Sequence, residues 1–430
     1  MPLSPELVAS IKEAVHENFN NQIQFTQKII QYGGQRGEEA AVQEEMFNQY
    51  TSRGYAPKKF EMDEEVLSKH GGAGKFSPQH SRAPVVVGFH EPKSAGSAGK
   101  SLILNGHIDI VPTGPEDMWE DGNPYSAVID GDWLYGRGGG DMRSGLVANM
   151  FALDALRKIG KQPASKLILE SVPEEESTGN GTMATHLAGF TADAALIPEP
   201  TGEALVRANV GVLWFQVEVR GYPVHVSRMT EGSSAISAAW KIVGALQELE
   251  KEINEQKGKI PHFEHMKHPI NLNVAKIKGG DWASSVPAWC TIDYRVSLYP
   301  GTTAKELADK IESIVQKTSE DDPFLSSSPA KVIWNGFFAE GFVLPPSEAE
   351  NILQTAYHNV NEGTLPDTTS PAYLDARIFT LYDKIPALVY GPLSESVHGF
   401  DERVNIKSIE RVTAVIALFI AEWCGLEDVA

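Results

Sequence analysis

Cysteine is scarce in this chain. Cys290 and Cys424 are the only two in 430 residues, too few for a disulfide framework and too far apart for a zinc-type pair, so a reducing cytoplasm is expected. Basic charge is also short: 37 Lys and Arg stand against 57 Asp and Glu, a net charge of −20. That argues against nucleic acid and against an anionic membrane surface as partners. No run of about eighteen apolar residues exists, which excludes a membrane-spanning helix. The opening residues 1–15 hold no basic stretch followed by an apolar one, so no signal peptide is expected. Internal repeats and low-complexity tracts are missing as well. What remains is a soluble globular composition, 42% hydrophobic and 22% charged. The length exceeds one ordinary core, so two domains are expected.

Several elements can be read directly. Ser4 followed by Pro5 and Glu6 opens a helix, with Leu7, Ile11, Val15 and Phe19 forming its stripe. A second helix is expected over 38–53 and a surface loop over 67–83. Apolar runs at 84–89 and 102–110 predict buried strands joined by a Gly/Ser/Lys turn. Helix 145–159, strand 166–172, helix 181–187 and strand 193–197 then alternate, the pattern of an α/β layer on a mostly parallel sheet. From 210 the pattern changes: strand 210–219, helix 233–256, strands 271–277 and 288–298, helix 303–318, strand 331–334. That order, β-α-β-β-α-β, is the ferredoxin-like split arrangement. The first pattern then resumes, with helix 348–361, strands around 373–379 and 387–390, and a terminal helix over 406–423. The expected organisation is a discontinuous α/β unit, 1–207 and 339–430, interrupted by an inserted unit at 208–338.

Chemistry-bearing residues cluster at strand ends. The run 102–104 delivers His107 and Asp109, which leave a strand on one face. Asp109 can therefore stand behind the ring of His107, as metal-ligating histidines require. Asp141 follows Gly138-Gly139-Gly140, where the backbone can approach a ligand closely. Strand 166–172 ends in Pro173 and the triplet Glu174, Glu175 and Glu176, strand 193–197 ends in Pro198-Glu199, and a loop after 387–390 carries His398. Carboxyl ends of parallel strands are where open α/β sheets bind ligands. Two imidazoles with several carboxylates suit a pair of zinc ions, with cobalt or manganese as substitutes.

The stretches GHIDIVP (106–112), YGRGGGDMRSG (135–145), PEEESTGNG (173–181), IPEPT (197–201), GYPVHVS (221–227) and SVHGFDE (396–402) stand in this order along the chain. In them the chain resembles the dizinc amidohydrolase family of acetylornithine deacetylase, succinyl-diaminopimelate desuccinylase, aminoacylase and carboxypeptidase G, with its bacterial acetylornithine-deacetylase-like branch nearest. The resemblance implies a zinc-peptidase-like catalytic domain with an inserted dimerisation and lid domain. It implies that His107 and His398 each bind one metal, that Asp141 bridges the two, and that Glu176 and Glu199 complete the shells. Glu175, ahead of Glu174, would be the general base, and Asp109 would orient His107. His225 would reach across a homodimer interface to stabilise the oxyanion. Arg295 would grip a substrate carboxylate, and Gly391 would border the substrate.

Three departures touch the expected pocket: Ser284 stands where many relatives have Asn, Leu374 where a small or hydroxyl residue is common, and Leu393 where Gly is usual. They predict a pocket for something bulkier or less polar than acetylornithine. His262, His265 and His268 are read as a surface loop. The expected activity is metal-dependent hydrolysis of a small-molecule amide, most simply deacylation of an N-acyl amino acid. The rivals are a dipeptidase or carboxypeptidase, an aminohydrolase releasing ammonia from an aryl amine, and a metal-bearing protein without activity.

Overall fold

A computed structural model describes residues 3–93 and 99–429. Its central sheet holds β1 (Lys58–Phe60), β2 (Val85–His90), β3 (Leu102–His107), β4 (Leu167–Val172), β5 (Ala194–Ile197) and, late in the chain, β10 (Ala387–Val389). The strand order is β1-β2-β4-β3-β5-β10. The four strands β4, β3, β5 and β10 run parallel, and β2 and β1 add an antiparallel edge. Every residue of β3, β4 and β5 is buried, as near-continuous apolar strands covered on both faces must be. Helices α1 (Pro5–Gln31), α3 (Ser144–Lys158) and α8 (Ile406–Trp423) pack together on this core, α2 (Ala40–Ser52) packs on β2, α4 (Asn180–Leu187) on β4 and α7 (Glu348–Asn361) on α8. The Ser4 hydroxyl accepts the Leu7 N–H at 3.2 Å, and the Asn405 side chain caps α8 through Ser408. The Gly/Ser/Lys turn expected between β2 and β3 lies partly at 94–98, outside the described residues.

The second sheet is antiparallel, in the order β7 (Leu272–Gly279), β8 (Trp289–Leu298), β6 (Gly211–Arg220), β9 (Lys331–Ala339). Phe215, Val217, Ile292 and Tyr294 point to a buried face covered by α5 (Ala235–Asn254) and α6 (Ala304–Glu320). A capping box between Thr303 and Glu306 starts α6. The alternate positions, Trp214, Gln216, Asp293 and Arg295, lie on the other face. In chain order the set reads β-α-β-β-α-β, as expected. The chain leaves the first unit through strand Leu205–Asn209 and returns through Phe342–Val343, and these two segments pair side by side.

Two local expectations fail. Residues 373–379 are not a strand: Ala376–Ile378 is a helical turn and Phe379–Asp383 a π turn. The stretch is buried throughout, its charged Asp375 and Arg377 included, and a short fully buried stretch fits helix or strand equally well. The strand nearby is Asp367–Ser370, paired parallel to Leu205–Asn209. Nor is 67–83 a mere surface loop, because Ala73, His80, Ser81 and Ala83 are buried in it. Its polar residues face partners across the fold, which composition does not reveal.

Candidate metal centre

Parallel β3, β4, β5 and β10 present their carboxyl ends along one edge, and the loops leaving them converge. His107 closes β3 and is buried; its Nε2 lies 3.0 Å from Asp141 Oδ1 and 3.7 Å from Glu199 Oε1. His398, whose φ is +62°, puts its Nε2 3.3 Å from Asp141 Oδ2 and 3.0 Å from Glu176 Oε1. Asp141 thus stands between the two imidazoles, one oxygen toward each. His107, Asp141 and Glu176 offer donor atoms all within 4.8 Å of one another. Glu175 points no hydrogen bond at any of these and lines the adjoining cavity.

The electrostatics of this cluster require a counter-charge. Burial would raise the Asp141 carboxyl, but the imidazoles of His107 and His398 outweigh it and hold it far below the usual carboxylate range. The Glu176 carboxylate, joined by Asp141, pushes the His398 imidazole up to about 11. Burial opposes a charge on His107, yet the carboxylates around it, Glu199 foremost, raise it well above its ordinary value. Burial is also the main force raising the carboxyls of Glu175 and Glu199. Glu199 Oε1 is buried with no hydrogen-bond partner. Such an oxygen beside an imidazole nitrogen and a second carboxylate fits a divalent cation of the nitrogen- and oxygen-seeking kind.

The supports of these groups are mostly distant in sequence. His107 Nδ1 lies 3.0 Å from the main-chain oxygen of Asp109, while the Asp109 carboxylate stands 3.6 Å off the ring. That carboxylate instead accepts the N–H groups of Glu175 and Glu176, at 3.2 and 3.1 Å. Glu402 accepts the N–H groups of Gly140 and Asp141 at 3.0 and 3.1 Å and pairs with Arg137 at 2.6 Å. Arg137 also donates to Gly399 O at 2.9 Å, tying the Asp141 loop to the His398 loop. Arg143, fully buried, donates to the carbonyls of Ile108, Ile29 and Gly33. Arg137, Arg143 and Glu402 all lie inside the motifs quoted above. Their charge within glycine-rich, buried stretches was the available signal, and sequence reasoning passed over it.

Beside the cluster opens a cavity of about 980 Å³, lined by Asp141, Glu175, Glu176, Glu199 and His398 on one side. Arg36, Trp214, Arg295, Phe337, Tyr373 and Leu374 are among the residues that line the rest of its wall. The Arg295 guanidinium donates to Ser297 Oγ at 2.8 Å and Pro371 O at 3.3 Å. Of the three departing positions only Leu374 borders the cavity; Ser284 and Leu393 do not. Gly391 is not on the cavity wall either. A Cβ there would come 2.1 Å from Glu199 O, so its smallness makes room for the Glu199 loop and not for a substrate. His225 is exposed, bonded to Ser227, and lines no part of the cavity in this single chain. His262, His265 and His268 form no metal cluster among the described residues; His268 lies 3.1 Å from Glu250.

The family description "Peptidase family M20/M25/M40" matches residues 103–422. The chain is 29% identical over 346 residues to N-formyl-4-amino-5-aminomethyl-2-methylpyrimidine deformylase of Bacillus subtilis (strain 168), covering 76% of this chain and 80% of that protein. It is 26% identical over 337 residues to succinyl-diaminopimelate desuccinylase of Dinoroseobacter shibae, covering 75% and 84%. The structure of the di-peptidase Dug1p from Saccharomyces cerevisiae has the same fold, with a TM-score of 0.75 at 16% identity over 97% of this chain and 98% of that one.

Proposed function

Since the chain belongs to peptidase family M20/M25/M40 and is a metal-dependent hydrolase of small-molecule amide bonds, we propose that its reaction is the deacylation of an N-acyl amino acid. The observation that carries this reading is the placing of Asp141 between His107 and His398, with Glu175 free at the cavity wall. The family includes enzymes that hold divalent metal ions. In this chain His107, Asp141, Glu176, Glu199 and His398 would hold two, with Asp141 shared and zinc the best match to the donors. When bound, such ions polarise an amide carbonyl and bring the pKa of water toward neutrality. Glu175 takes the proton of the attacking water and hands it to the departing amine nitrogen. Glu174 is bound elsewhere and is not available for this. Asp109 holds the main chain of Glu175 and Glu176 in place. Arg295, across the cavity, pairs with the carboxylate of the amino acid.

His225 completes the site from a second copy of the chain, where it donates to the oxyanion. Support comes from its surroundings: Tyr222, Val226, Met229 and Trp282 are large apolar side chains exposed close to it in sequence or fold. Residues 208–338 are then the inserted dimerisation unit, and 1–207 with 339–430 the metal-bearing unit. Sedimentation checks the dimer, which Trp282→Asp should weaken. No helix among the described residues is long and apolar enough to cross a membrane. Two buried, unpaired cysteines favour the cytoplasm.

A second reading has its own observation. Trp214, Phe337 and Tyr373 form one continuous aromatic wall, with ring centroids 5.1 and 4.3 Å apart. Such a wall favours an N-acylated amine that carries an aromatic ring, and the Bacillus subtilis relative is named a deformylase of an N-formylated aminomethylpyrimidine. Zinc-loaded protein assayed on N-acyl amino acids, dipeptides and N-acyl aromatic amines separates the readings. Glu175→Gln should lower turnover by about 10²–10⁴-fold with cation content unchanged. Full turnover in that variant would remove Glu175 from the mechanism.

A further inference from the structure

Glu174, next to the base, is fully buried, and its φ of +70° lies in the left-handed region that non-glycine residues seldom occupy. Its main-chain oxygen accepts from Thr178 N at 3.0 Å and Gly179 N at 2.7 Å, closing the loop around Glu175 and Glu176. Its carboxylate is gripped from several sides. Arg36 donates Nε to Oε1 at 2.6 Å and Nη2 to Oε2 at 2.8 Å, a two-pronged fork. Ser81 N and Thr178 Oγ1 each donate at 2.8 Å. The neutral or charged ring of His80 stands 3.6 Å away. On the far side of the loop, the Asp109 carboxylate holds the N–H groups of Glu175 and Glu176.

We propose that Arg36 and Glu174 are a positioning pair that fixes the backbone aiming Glu175 into the cavity and Glu176 at His398. This rests on the reading of Glu175 as base. A buried ion pair adds little net stability, because desolvating two charges offsets their attraction. A planar fork closed on both carboxylate oxygens does, however, set orientation, and here the oriented group sits one residue from the base. Arg36 and Ser81 also precede the stretch 103–422 that matches the family description. The aim of the base therefore depends on the loop between α1 and α2 and on the buried part of 67–83.

The test uses full-length protein loaded with Zn²⁺ for kinetics and with Co²⁺ for spectroscopy, with variants Arg36→Met, Arg36→Lys and Glu174→Gln. Arg36→Met should lower kcat by about 100-fold, the loss expected from a misplacement of about 1 Å, while KM stays near the wild-type value. The visible Co²⁺ bands should change as Glu176 shifts. Arg36→Lys, a point charge without the fork, should restore only part of both. Glu174→Gln, which keeps the acceptor but not the charge, should behave like Arg36→Met and serves if that variant does not fold. A wild-type Co²⁺ spectrum and kcat in folded Arg36→Met overturn the proposal. So does a loss of activity that tracks the unfolded fraction in circular dichroism, or failure of both variants to fold. If wild-type protein hydrolyses none of the amides while Arg36→Met still alters the Co²⁺ spectrum, the positioning role stands and the catalytic reading falls.

Discussion

Glu402→Gln probes the link between the two halves of the metal centre. The wild-type carboxylate is fully buried and receives three donors: Arg137 Nη1, Gly140 N and Asp141 N. An amide has one acceptor oxygen, so either Arg137 or the Gly140 and Asp141 N–H groups would meet an NH₂ group. The Arg137 cation would keep the main-chain oxygens of Gly399 at 2.9 Å and Pro112 at 3.4 Å as acceptors and the face of Trp119, 5.2 Å from its carbon, as cover. Removing one member of a buried ion pair costs about 3–5 kcal/mol, because the other charge stays desolvated. Asp141 would also lose a main-chain anchor, and outer supports of this kind change cation affinity by about 10–100-fold. Urea denaturation of cation-free protein measures the first effect, and calorimetric titration with Zn²⁺ the second. Arg137→Met should cost about as much alone, and the double variant clearly less than the sum. Additivity of the two single costs within about 0.5 kcal/mol would refute the reasoning.

Glu170 lies inside β4, where burial pushes its carboxyl up from 4.5 to about 8, with Asn105 opposing and Asp383 and Asp375 adding. The native state then keeps a proton that the unfolded chain releases, so stability falls as pH rises from about 4.5 to about 8. Glu170→Gln should flatten that fall and gain roughly 4 kcal/mol relative to wild type by pH 8, read from urea denaturation across the pH range. An equal difference at pH 5 and pH 8 would refute it. Gly391→Ala should push the Glu199 loop back, since a Cβ would lie 2.1 Å from Glu199 O. It should cost about 1–3 kcal/mol and weaken Zn²⁺ binding, seen by titration. Chelation should lower the thermal midpoint, because a cation held by the folded site but not by the unfolded chain adds its binding free energy to stability. Zn²⁺ at a hundredfold excess over its Kd should restore about 2.7 kcal/mol, and an unchanged midpoint would argue against the site.

Much of this molecule is determined locally. A cap and an apolar stripe specify α1, α8 and the helix Glu348–Asn361, because a helix satisfies its own backbone and needs only one face covered. Apolar runs specify β3, β4 and β5, with polar residues entering only toward the ends of β3 and β4, and parallel strands must all end on one edge. His107 at the end of β3, Glu175 and Glu176 just past β4 and Glu199 just past β5 therefore stand out in the sequence, whereas His398 sits in the loop well past β10. The segment 373–379 does not stand out, since its burial on every side leaves no periodicity to read. The family resemblance assigns Glu175 as base and Glu176 as ligand, but the physics of the triplet 174–176 taken alone does not distinguish its members. Three identical side chains in a row differ only in what meets them, and the partners come from elsewhere: Arg36 and Ser81 for Glu174, the cavity for Glu175, His398 for Glu176. Glu402, 261 residues beyond Asp141, holds that residue's N–H. Chain-local physics set the elements and the chemical types at their ends. Contacts between segments far apart in the chain, which no local pattern encodes, decided that Glu174 is anchored by Arg36, that Glu176 meets His398 and that Glu175 faces the cavity.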